Sequence, residues 1–337
     1  MKDLYTLPKA ELHLHVEGTL EPELAFELAA RNGVALPFGS VEELRRHYDF
    51  EDLSSFLELY YATMAVLCDA PDFEALTTAY LDRAAAQGLR HVDLFFDPQA
   101  HASRGVPVGA VIDGLRAGLE AGRAAHGITG TLVMCFLRDR PAEEALALFE
   151  SLGEDLSRID GVGLDSAEVG HPPALFREVF ARARAAGLHV VAHAGEEAGP
   201  DYVREALDVL HVERVDHGIQ CLRDPALVER LVAQQVPLTV CPLSNVRLRV
   251  VGALAEHPVL EMLERGLAVT VNSDDPAYFG GYVDDNLREC RQALGLSTAE
   301  LTTLARNSIT ASFAAPERKT ALLSQLGTAV STDPATG

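Results

Sequence analysis

His13 and His15 stand two residues apart in the segment Ala10-Glu11-Leu12-His13-Leu14-His15-Val16-Glu17-Gly18. In an extended strand, alternate side chains share a face, so both imidazoles point one way and Leu12, Leu14 and Val16 the other. Two imidazoles about 7 Å apart along one face can share a metal ion. The triplet alone is ambiguous, because the chain holds 12 His and a hydrogen-bonded core histidine fits the same pattern. Further polar groups of suitable chemistry recur in His193-Ala194-Gly195-Glu196, Asp216-His217-Gly218 and Asn272-Ser273-Asp274-Asp275-Pro276. His13, His15, His193 and Asp274 supply three nitrogens and a carboxylate, a donor set suited to Zn²⁺ with a position left for water. Glu196 and His217 then remain as an acid and base pair. Each group also has a structural reading: Glu196 as a helix-capping carboxylate, His217 as a buried donor, Asp274-Asp275-Pro276 as a turn.

What joins them is the elements on which they fall. Eight apolar runs read as strands: residues 12–16, 89–96, 131–137, 161–166, 189–194, 212–218, 236–241 and 267–272. Most are apolar almost throughout, as parallel strands covered on both faces must be. Helical patterns lie between them, several opened by Pro and closed by Gly, such as 174–186 ending before Gly187. Strand and helix alternating eight times predict a (β/α)8 TIM barrel, an α/β fold whose chemistry sits at the C-terminal ends of the strands. The polar groups fall at those ends. About seventy residues separate the first two strands, so residues 20–88 are expected to form a helical cap over the pocket. Residues 1–330 read as one barrel domain and 331–337 as a disordered tail.

Composition narrows the function. The chain has 337 residues, 48% of them hydrophobic, and a formal charge of −22. That acidity argues against nucleic acid as a partner. No apolar run is long enough to span a bilayer, so no membrane association is expected. The first nine residues lack the apolar stretch of a secretory leader. Cys68, Cys135, Cys221, Cys241 and Cys290 show no CxxC spacing and read as reduced thiols of a cytoplasmic protein. Between Lys9 and Lys319 there is no lysine, so a carbamylated lysine bridging two metals cannot form and a single metal is expected.

As an ordered set, these motifs, with Cys241-Pro242-Leu243-Ser244-Asn245, are similar to those of the adenosine and adenine deaminases of the amidohydrolase superfamily. The resemblance runs from about residue 7 to 310. It implies one Zn²⁺ per chain, with Fe²⁺ as a competing ion, on His13, His15, His193 and Asp274. It implies that Glu196 protonates purine N1, that His217 orients and helps to deprotonate water, and that Asp275 bonds N7. The implied reaction is hydrolytic deamination of a small-molecule purine by a zinc-activated hydroxide. Segments 95–99, 165–173 and 278–282 look more like the adenine branch, which implies adenine to hypoxanthine and ammonia in purine salvage. Glu17 and Glu168 stand where the nucleoside branch has Asp and Gly. Both are expected at the substrate, Glu168 as acceptor for the N9–H of a free base. Adenosine or an N6-substituted adenine as substrate, an unrelated amide, and a catalytically silent purine-binding barrel are the competing readings. Phe56, Leu57 and Tyr60 are expected as an apolar gate.

Overall fold

Eight parallel strands in the order β1 to β8 build the computed structural model, which describes residues 7–331. They are β1 (Lys9–His15), β2 (Leu89–Phe96), β3 (Thr129–Leu137), β4 (Gly161–Asp165), β5 (His189–Ala194), β6 (Arg214–His217), β7 (Leu238–Val240) and β8 (Val269–Val271). Every strand falls within or against a predicted run. β6, β7 and β8 are shorter than expected, because backbone pairing ends before the apolar runs do. Helices cover the outside, giving the (β/α)8 barrel. The tail expectation falls on residues outside the described ones, except Ser331, which ends the helix Pro316–Ser331.

Alternation sorts the side chains. Leu14, Val92, Leu94, Leu132, Met134, Val162 and Val190 join the apolar layer between strands and helices. Phe95, Val133, Cys135 and Val191 form a smaller cluster. A buried ion pair also ties the strands together: Arg214 Nη1 lies 2.7 Å from Asp93 Oδ2, and its Nη2 donates to Leu12 O at 2.9 Å. The guanidinium stacks over Phe313 at 4.5 Å, on the segment between the helices Thr298–Ala311 and Pro316–Ser331. Those helices and Val283–Leu294 follow β8.

The long β1–β2 connection contains the helices Pro22–Asn32, Val41–Arg46, Leu53–Thr63 and Ala70–Ala85. Ser40, Asp52 and Asp69 cap the last three by accepting backbone N–H bonds from the first turn. The final helix behaves as a barrel helix. It packs on Val108–His126 so closely that a Cβ on Gly114 would come 2.2 Å from Ala70 O. The part over the mouth is therefore shorter than residues 20–88. Among the described residues, no helix is long and apolar enough to cross a membrane.

Candidate active site

β8 and β1 meet at the mouth through two backbone bonds. His15 N–H donates to Asp274 O at 3.0 Å, and Asp274 N–H donates to His13 O at 3.1 Å. This junction brings three of the expected metal-binding side chains to one point. Asp274 Oδ1 lies 3.3 Å from His13 Nε2 and 3.5 Å from His15 Nε2. His15 Nε2 is 3.2 Å from His193 Nε2 at the end of β5. His13 Nε2 is buried with no hydrogen-bond partner. Three imidazoles and a carboxylate converging in this way suit a borderline cation such as Zn²⁺. Asp216 stands behind two of the rings, 3.9 Å from His13 Nδ1 and 3.8 Å from His193 Nδ1. Thr239 Oγ1 donates to Asp216 at 2.8 Å and lies 3.0 Å from His13 Nδ1. Partners of this kind orient metal-binding rings.

His217 crowds the same point, with a nitrogen within 4.8 Å of ligand atoms of His13, His193 and Asp274. Its hydrogen bonds set it apart. Val259 N–H donates to His257 Nδ1 at 3.2 Å, so the hydrogen of His257 sits on Nε2 and goes to Asn245 Oδ1 at 3.1 Å. The amide then turns its Nδ2 toward His217 Nδ1 at 3.5 Å. His217 Nε2 lies 3.5 Å from Glu196 Oε2 and 3.8 Å from Asp274 Oδ2. His217 and Asp274 both have left-handed backbones, with φ of 61° and 64°, a strain that commonly gathers at functional sites.

Glu196 lies on the turn after β5. Burial, then Asp274 and Glu168, push its carboxyl well above the usual carboxylate range. Burial and then His13 bring His217 down to about 3, so its ring is neutral. Glu168 corrects the sequence reading. Its Oε1 accepts from Gly195 N at 2.6 Å, and its Oε2 accepts from Glu196, Glu197 and Ala198 N at 3.1, 2.8 and 2.9 Å. Both oxygens are occupied by backbone, and Glu168 does not line the cavity. It holds the turn that carries Glu196. Arg138 braces the same turn from the other side, donating to His193 O at 2.6 Å.

These groups open onto one cavity. Phe56, Leu57, Tyr60 and Tyr61 form its roof, while His15, His193, Glu196, His217, Asp274 and Asp275 occupy one side. Asp275 Oδ1 is buried and unpartnered. Burial, then Asp274, raise its carboxyl well above the usual range, so it can donate. Gly18 makes room for it: a Cβ there would lie 2.6 Å from Asp275 Cα. Glu17 stands one step back from the cavity. Its Oε1 is taken by His101 Nε2 at 2.7 Å and Asp97 N at 3.1 Å. Sequence reasoning gave no individual role to Asp97, Asp165, Asp216 or Asn245, although the first three lie at or next to the ends of barrel strands and Asn245 lies on the short helix after β7.

A parallel (β/α)8 barrel with imidazoles and carboxylates gathered at its C-terminal mouth is the architecture of a barrel metallohydrolase. Within that class, the adenosine deaminase family model matches residues 8–329, and the chain belongs to that family. It is 63% identical over 310 residues to an adenine deaminase of Streptomyces coelicolor, covering 92% of this chain and 91% of the relative. The crystal structure of an adenine deaminase from Arthrobacter aurescens superposes with a TM-score of 0.95 at 55% identity, covering 97% of this chain and all of that one. An amidohydrolase from Burkhoderia ambifaria, solved with bound Zn, matches with a TM-score of 0.89 at 27% identity, covering 98% of this chain and 94% of that one.

Proposed function

We propose that this chain hydrolyses free adenine to hypoxanthine and ammonia, as a cytoplasmic enzyme of purine salvage. The observation that carries the reading is the convergence of His13, His15, His193 and Asp274 beside Glu196 and His217 on one wall of a buried cavity. The names of relatives at high identity over nearly the whole length support the choice of adenine.

His13, His15, His193 and Asp274 would hold one Zn²⁺, or Fe²⁺ in competition. When bound, the metal would act as a Lewis acid that makes a water molecule nucleophilic near neutral pH. The side chains then divide the remaining work. Glu196 holds a proton in its buried carboxyl and gives it to N1 as attack at C6 loads electrons onto that nitrogen. His217 fixes the line of approach of the attacking water and takes its proton, and that proton passes to the amino group, which leaves C6 as ammonia while hypoxanthine keeps the proton at N1. Asp275, protonated, donates to N7, which only accepts. The aromatic roof keeps bulk water from the reacting carbon. Residues 1–330 would act as one catalytic unit.

Ammonia release measured side by side on adenine, adenosine, 2′-deoxyadenosine and N6-alkyl adenines tests the reading. The expected kcat/KM for adenine exceeds that for adenosine by about 10⁴-fold, the scale on which a site rejects analogues lacking a hydrogen bond it was built to make. Equal or better turnover of adenosine would return the chain to nucleoside chemistry.

A further inference from the structure

With Glu168 turned to the backbone, the cavity needs another group to tell a free base from a nucleoside. Catalytic residues come from β5, β6, β8 and β1. The opposite wall comes from the ends of β2, β3 and β4, where Asp97, Leu137, Asp165 and Ser166 face the same cavity. If Glu196 meets N1 and Asp275 meets N7, the N3/N9 edge of the purine is turned toward that wall.

We propose that Asp97, backed by Asp165, accepts the ring N–H that free adenine carries at N9 and that a nucleoside lacks. The proposal rests on the deaminase reading above. Asp97 Oδ1 is buried without a hydrogen-bond partner in a residue only 3% exposed. A buried carboxyl oxygen in that state is costly until something donates to it. The backbone of Asp97 is clamped, because its N–H donates to Glu17 Oε1 at 3.1 Å and the same oxygen takes His101 Nε2 at 2.7 Å. Asp165 stands beside it on the same wall, with both oxygens likewise unpartnered and Oδ2 3.6 Å from His15 Nδ1. Neutral or ionised, Asp97 keeps an oxygen that can accept. A ribose at N9 would remove the donor and press carbon against this wall. Glu17 then serves selectivity indirectly, by holding Asp97 in place.

One competing use of these groups is a second cation, since His15, Asp97 and Asp165 offer ligand atoms within 4.8 Å of one another. The experiment compares kcat/KM for adenine and for 9-methyladenine, in which N9–H is replaced by N–CH₃. It uses metal-loaded wild type, Asp97→Ala and Asp97→Asn, with metal content measured on the same samples. In Asp97→Ala, adenine should lose about 10-fold or more, the scale of one hydrogen bond to a charged group. Turnover of 9-methyladenine should hold or rise, so the ratio of the two collapses, and metal per chain should stay unchanged. Asp97→Asn keeps the volume and a carbonyl acceptor, so its ratio should fall between the other two. It also supplies the measurement if the alanine variant does not fold. Equal losses on both substrates, or a second metal ion in wild type that Asp97→Ala removes, would overturn the assignment. A wild type active on adenine whose ratio ignores Asp97 leaves the deaminase reading standing and sinks this one. A wild type inactive on adenine sinks both.

Discussion

Glu196 and Glu168 are two buried carboxyls on neighbouring loops, and their hydrogen bonds give them opposite tasks. Glu196 has Oε1 buried with no partner and Oε2 3.5 Å from His217 Nε2, so its proton is free to move. Glu168 spends both oxygens on four backbone N–H groups. Glu196→Gln should therefore keep the metal, read by elemental analysis, while kcat drops about 10²-fold or more, the usual scale of general acid catalysis. Loss of metal in that variant would make Glu196 a ligand instead. Glu168→Gln leaves the turn with an amide that donates where only acceptance is useful. Its expected signature is a fall in kcat of about 10-fold or more with KM little changed and a lower Tm, as expected for losing bonds to a charged acceptor. Its adenine to 9-methyladenine ratio should match wild type. A changed ratio would put Glu168 back at the purine.

At the scale of elements, the strands deliver the chemistry and the buried polar groups between them keep the strands in place. β1 carries His13 and His15 on the face turned to the metal. Its Glu11, set off from them by a bulge in the strand, accepts from Tyr80 Oη and from Ser273 Oγ, both at 2.5 Å, joining β1 to an outer helix and to the β8 loop. β2 and β6 are joined by Asp93 and Arg214, both fully buried. Asp93 also accepts from Thr131 Oγ1 at 2.7 Å and from Phe313 N. Removing one partner of such a pair strands a charge. Asp93→Ala should cost about 3–5 kcal/mol in denaturant unfolding, while Asp93→Asn, which keeps some of the bonds, should cost less. A loss within about 0.5 kcal/mol for Asp93→Ala, the range of an ordinary surface change, would deny the pair its structural role.

Across the whole molecule, barrel closure and metal affinity are one problem. Among the described residues, the backbone pairing of β1 with the end of β8 is an isolated bridge between Leu14 and Asp274, so ligands on both sides of it would act as a clasp. Chelation should abolish turnover and lower Tm, and restoring about one Zn²⁺ per chain should recover both. Two tightly held ions in an active preparation would contradict the single site. Much of this was legible in the sequence. Apolar runs specify strands because a parallel sheet is covered on both faces, and a period of two puts His13 and His15 side by side whatever the rest of the chain does. Glu196, three residues past His193 at a strand end, was placed by the same logic. Other roles were settled only in three dimensions. Whether the Glu168 carboxylate meets a substrate or the amides of Gly195 to Ala198 depends on how two loops pack, and residue type carries no trace of that. How the His217 ring is held depends on Asn245 and His257, which come from other segments. Asp97 looked like the end of an apolar strand until folding placed it across the cavity from Glu196. Strand periodicity is local, so one sequence can specify it, whereas the partner of a buried polar atom is a property of the packed molecule.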